Sequence, residues 1–180
     1  MFERLNTPQE AYHFKLGAAL KMENTVIEIL QSSIDEAQDE QVAATFRTHL
    51  EETRSHIRNL EEAFGLLGAE IDDSPCPAID GLQAEGKANA KKTDNSLVDS
   101  VLLQGAVEVE HHEIGVYQNL ILNANAMGHQ DVVDVLRRNL DNEQQTLDAA
   151  LKLQEQVAAV TPKDPVQGAG ITDKIKDAVA

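Results

Sequence analysis

SLVDSVLLQGAVEVEHHEIGVYQNLILNANAMG, residues 96–128, is the stretch whose periodicity decides the fold. Leu103, Ala106, Glu110, Glu113, Tyr117 and Leu120 recur at spacings of three and four, so on a helix they share one face. That face is apolar or aromatic except at Glu110 and Glu113. Two carboxylates that interrupt an apolar stripe are aimed at a core rather than at solvent. The stretch opens on Ser96-Leu97-Val98-Asp99, a capping-box pattern, and Gly128 suits a helix stop. The expected helix runs from Ser96 to about Met127.

Similar stripes lie on both sides of it. Residues 129–159 carry Leu136, Leu140, Glu143, Leu147 and Ala150 on one face, with Pro162 and Pro165 beyond the end. Upstream, Thr7-Pro8-Gln9-Glu10 is a helix start, with a capping threonine, a proline at the first helical position and an acid for the capping box. Tyr12, Leu16, Ala19, Leu20, Val26, Ile27, Leu30 and Ile34 follow at helical spacing. A polar turn at residues 35–39 leads to a second helix, about Glu40 to Leu67, with Val42, Phe46, Leu50, Ile57, Leu60 and Phe64. Residues 68–95 hold Pro75, Pro77, Gly81 and Gly86 and read as a long connection with a short helix near Ala78 to Ala90.

Four long helices in two tight hairpins, joined by a connection able to carry the chain back along the bundle, are the all-α, ferritin-like four-helix topology. A plain up-down bundle or an open helical array does not need that connection. The expected organisation is a bundle over residues 1–160 and a flexible C-terminal tail over 161–180, with a weakly amphipathic segment from Ile171 to Val179.

Composition agrees. Apolar residues make up 42% of the 180, enough for a real core, whereas aromatics are only 3%. The net charge of −16, from 31 acidic against 15 basic residues, argues against binding nucleic acid or an anionic membrane. Cys76 has no partner for an intrachain disulfide, and no serine-nucleophile, phosphate-loop or zinc-type cysteine motif occurs. The polar segment from Met1 to Thr7 does not read as a signal peptide, and no apolar run reaches the roughly 20 residues of a membrane span. The cytoplasm is the expected location.

In an antiparallel hairpin, residues equidistant from the turn lie at equal height. Glu23 and Glu52 are equidistant from the turn at residues 35–39, and Glu113 and Glu143 from Gly128, with Glu110 one turn from Glu113. Each lies about 22 Å from its turn at roughly 1.5 Å per residue. All four helices therefore offer a glutamate at one middle layer. On the first helix Glu23 shares its face with Leu16, Ala19, Val26 and Leu30; on the second, Glu52 competes with Glu51 for the inward direction. Clustered buried carboxylates are costly unless a cation neutralises them. Glutamates with histidine in a bundle core are the donors of di-iron and di-manganese carboxylate proteins, and hard oxygen ligands suit iron or manganese.

The expected ligands are Glu23, Glu52, His56, Glu110, Glu113 and Glu143, with His49 as the substitute for His56. His49, His111 and Tyr117 are candidate supports for those ligands. Protonated glutamates, or pairing with Arg54 or Arg58, would neutralise the layer without a metal.

His49-Leu50-Glu51-Glu52-Thr53 and Val109-Glu110-His111-His112-Glu113-Ile114 resemble the YciE/YciF family of ferritin-like bacterial stress proteins, over most of residues 10–155. The family motifs fall on Glu23, His49, Glu52, Glu110, His111, Glu113, Tyr117 and Glu143. This chain departs from them at His112, usually aromatic, and at His56, usually glutamine. Thr146 stands where the commonest di-iron motif has histidine. The resemblance implies an iron-binding, dimer-forming protein induced by stress, and supplies no defined reaction. Two functions lead, a di-iron protein reacting with oxygen or peroxide, or a non-catalytic stress or scaffold protein whose metal is structural and whose tail docks a partner; metal storage in a large shell is the weaker third, since nothing in the sequence points to a cage.

Overall fold

The structure, a computed structural model, describes residues 4–72 and 74–161; residues 162–180 of the expected C-terminal tail, with the weakly amphipathic segment from 171 to 179, lie outside the described residues. Five helices follow one another: α1 Pro8–Glu36, α2 Glu40–Leu66, α3 Pro77–Lys92, α4 Val98–Ala126 and α5 Gln130–Val160. The four long ones form the ferritin-like bundle, with α1 against α2, α4 against α5, and the two hairpins joined face to face through α2–α5 and α1–α4. Helix α3 packs outside, on α1 and α4.

Local chemistry sets the helix ends. Thr7 Oγ1 accepts the Glu10 N–H at 3.1 Å while Glu10 Oε2 accepts the Thr7 N–H at 3.0 Å, closing the capping box. Asp39 caps α2 by accepting from Gln41 and Val42. Gly68 (φ 63°) and Gly128 (φ 83°) take the left-handed conformation that ends α2 and α4, which glycine adopts without a steric penalty.

The second expected capping box does not form. Leu97, not Ser96, occupies the cap of α4, and no side chain caps it. Asp99 instead reaches the α1–α2 turn, where its carboxylate accepts the Gln38 N–H at 2.9 Å and the Asp39 N–H at 3.1 Å. This pins the start of α4 to the end of the bundle where α2 also starts. Helices α2 and α4 therefore run parallel, so the chain leaving α2 must return along the whole bundle, and residues 67–97 do so.

The returning chain crosses α1 at Gly17. A β-carbon there would meet the Asp72 carbonyl oxygen at 2.7 Å and the Ser74 nitrogen at 3.0 Å, so backbone passes where a side chain would stand. Inside, Leu16, Met22, Leu60, Phe64, Leu103 and Leu136 are essentially free of solvent. Burying each such side chain contributes about 1.5–3 kcal/mol. Among the described residues, no helix is long and apolar enough to cross a membrane.

Candidate metal centre

Halfway along this apolar core lies a polar layer. Glu23 from α1, His49 and His56 from α2, Glu110 and Glu113 from α4 and Glu143 from α5 are all at most 3% exposed. They form two overlapping groups whose donor atoms lie within 4.8 Å of one another: Glu23, His56 and Glu143, and His49, Glu110, Glu113 and Glu143. Glu143 belongs to both. His56 Nδ1 is 2.9 Å from Glu143 and 3.7 Å from Glu23, and His49 Nε2 is 3.1 Å from Glu110 and 4.0 Å from Glu143.

These side chains approach one another without satisfying one another. Eleven buried side-chain polar atoms lack a hydrogen-bond partner among the described residues, and ten belong to these six residues. Buried polar atoms in folded proteins are nearly always paired, so orphans gathered at one point mark a binding site for an ion. Among the described residues no arginine or lysine neutralises them: Arg54 pairs with Glu51 at the surface and Arg58 donates to Ser55.

Electrostatics shows the strain. Burial, then repulsion from Glu143, Glu23 and Glu110, holds the Glu113 carboxyl well above the usual carboxylate range. Burial also raises Glu143, against the pull of His56, to about 8. Burial opposes the imidazolium form of His56, but Glu143 and Glu23 outweigh it and raise its pKa to about 10. Similarly, burial opposes the His49 cation, yet Glu110 and Glu52 hold its pKa well above the ordinary histidine value. Without a metal, protons therefore supply the missing positive charge.

A second set of residues orients the donors. The Tyr117 hydroxyl donates to Glu23 Oε1 and accepts from Asn139 Nδ2 at 2.9 Å. Asn139 also donates to the His56 carbonyl at 3.2 Å and accepts from Asn59 at 2.6 Å. Tyr117 and Asn139 are both fully buried. Asn139 was not anticipated; its signal was a polar residue one turn before Glu143 on an apolar face.

Helix α2 presents its residues differently from the expectation. His49 and His56 both point inward, whereas Glu52 is about one-third exposed and belongs to neither group. Its carboxylate lies 3.6 Å from His49 Nδ1 and accepts from the Thr146 hydroxyl at 3.3 Å. Residues 49 and 56 lie about 20° apart around a helix, and residue 52 lies about 60° to one side. Equal height had selected Glu52; rotation about the helix axis instead favours His49, with Glu52 behind it.

His111 is exposed on α4, and His112 is only partly buried, 3.9 Å from the Cys76 sulfur. Both lie roughly 130° from the mean direction of Glu110 and Glu113, which rules out an orienting role for His111.

Fold and centre together define a ferritin-like helical bundle with a buried glutamate–histidine cluster able to hold a metal ion. The chain belongs to the family described as Domain of unknown function (DUF892), which it matches over residues 7–161. It is similar to Protein YciF of Escherichia coli (strain K12), at 25% identity over 144 residues covering 79% of this chain and 87% of that protein. The structure of YcfI from Rhodopseudomonas palustris superposes with a TM-score of 0.81 at 31% identity, covering 84% of this chain and 98% of that one. The crystal structure of the E. coli stress protein YciF gives a TM-score of 0.82 at 23% identity, covering 87% and 99%; at that identity it speaks for the fold. The YciE/YciF resemblance is thereby borne out.

Proposed function

We propose that this protein holds two divalent metal ions, iron in the first instance with manganese as the alternative, and reacts with dioxygen or peroxide in a bacterial stress response. The observation that carries the reading is the gathering in one layer of four glutamates and two histidines whose buried side chains hold ten unpaired polar atoms. Charge supports the number. Four carboxylates (Glu23, Glu110, Glu113 and Glu143) against neutral imidazoles leave four negative charges, which two divalent cations cancel. The two donor groups, sharing Glu143, supply a place for each ion. Oxygen donors with one imidazole per group suit iron and manganese over softer metals.

When bound there, iron supplies one-electron exchange between its ferrous and ferric states. The protein's own residues do the rest. Tyr117 and Asn139 fix the direction of Glu23, and the Glu52 carboxylate stands 3.6 Å behind His49 Nδ1, on the side away from Glu110. The surrounding leucines and valines keep bulk water from the layer, and a dry, preorganised shell strengthens every charge interaction within it. A homodimer is the expected assembly, and the stress role rests on the likeness to YciF.

Anaerobic titration with Fe(II), followed by metal analysis and exposure to oxygen or peroxide, tests the reading. Two irons per chain and a new near-ultraviolet absorption on oxidation are expected. Two retained metals with no spectral change would make the site structural, and failure to retain metal would overturn the reading.

A further inference from the structure

Outside the donor layer, a cavity among the described residues reaches it. Its volume is about 60 Å3, and it lies between the C-terminal half of α1, the first half of α4 and the covering helix α3. The wall is Val26, Leu30, Phe46, Leu102 and Val109, and the inner end is His49 and Glu110, both members of the donor cluster. Polar side chains such as Glu36, Gln83 and Lys87 also border it. On a scale where roughly 10–15 Å3 accommodates a water molecule, this space takes a molecule of several heavy atoms.

Two glycines line the space, Gly86 of α3 and Gly105 of α4. A β-carbon at either would meet nothing within 4 Å, so no close packing requires glycine there. A glycine inside a helix costs about 0.5–1 kcal/mol relative to alanine. Both helices thus forgo stability at positions where the missing side chains keep the cavity open.

We propose that this cavity binds a small, uncharged apolar molecule, of which dioxygen is the type, and delivers it to the His49–Glu110 side of the centre. The proposal rests on reading the cluster as a metal centre. The physical reason is partition. An apolar wall gives a hydrated cation nothing in exchange for its water, whereas an uncharged apolar molecule gains by leaving water.

Dioxygen itself is the probe, because it is paramagnetic and relaxes the nuclei it touches. In the metal-free full-length protein, raised dioxygen pressure should broaden the methyl resonances of Val26, Leu30, Leu102 and Val109. The methyls of Leu16 and Leu60, fully buried away from the cavity, should broaden less, and a hydrophilic gadolinium chelate should leave all of them sharp, which separates entry into the cavity from exposure to solvent. Gly105→Leu should abolish the excess broadening while the protein still takes up metal as wild type does. Gly86→Leu fills the same space from α3 and serves if the first variant fails to fold. Equal broadening of cavity and core methyls in wild type would overturn the proposal. So would undiminished broadening in a folded leucine variant. Excess broadening in a protein that retains no metal would support the cavity while overturning the metal-centre reading, so the two fail separately.

Discussion

His56 Nδ1 and Glu143 Oε1 stand 2.9 Å apart at the centre of the bundle, yet neither atom makes a hydrogen bond. Both are left available to a third partner. Glu143 is common to both donor groups, whereas Glu23 belongs to one. Glu143→Ala should therefore abolish binding of both metals, and Glu23→Ala should leave one per chain. Elemental analysis of the purified variants checks this; equal losses would show that the two groups are not separate positions.

The same contacts set the pH dependence of the metal-free protein. Glu143 titrates near 8 when folded, above its ordinary 4.5, and His56 near 10, above its ordinary 6.5. In both cases the folded state holds a proton that the unfolded chain releases first, so stability falls as pH rises. The windows are 4.5 to 8 for Glu143 and 6.5 to 10 for His56, and they overlap between 6.5 and 8. Each group can contribute up to about 1.4 kcal/mol per pH unit, or a Tm loss of about 3–6 °C. Calorimetry in chelator across that range should show the fall. Metal-loaded protein should not show it, because metal displaces the protons, and its affinity should rise with pH.

Tyr117→Phe keeps the ring and removes the hydroxyl between Glu23 and Asn139. The buried Glu23 oxygen then loses its donor, at about 1–3 kcal/mol in the metal-free protein. Loss of an orienting contact also lowers metal affinity by about 10–100-fold. Thermal melts with and without metal, together with competition against a chelator, measure the two effects. Unchanged affinity would reduce Tyr117 to core packing.

Gly17→Ala tests the crossover. The added carbon meets backbone of residues 72 and 74, which cannot rotate away as a side chain would. Destabilisation of about 1–3 kcal/mol is expected by urea denaturation, despite the better helix propensity of alanine. A stabilised variant would mean that the crossover does not press on α1.

The amino-acid sequence by itself determined the four long helices, because apolar residues at spacings of three and four leave no other regular structure able to bury them. It also determined that Glu23, Glu110, Glu113 and Glu143 face inward, since each interrupts such a stripe, and that Glu23, Glu113 and Glu143 share a height, since each stands equally far from a turn, with Glu110 one helical turn away. Tertiary structure alone decided the rest. The rotation of α2 about its axis depends on the helices against it, and it brings His49 into the layer while Glu52 stays at the edge. Asp99 has the spacing for a local cap, but two N–H groups some sixty residues away take its carboxylate. Height and periodicity are properties of one helix or one hairpin. Facing direction and the choice of hydrogen-bond partner depend on which surfaces meet.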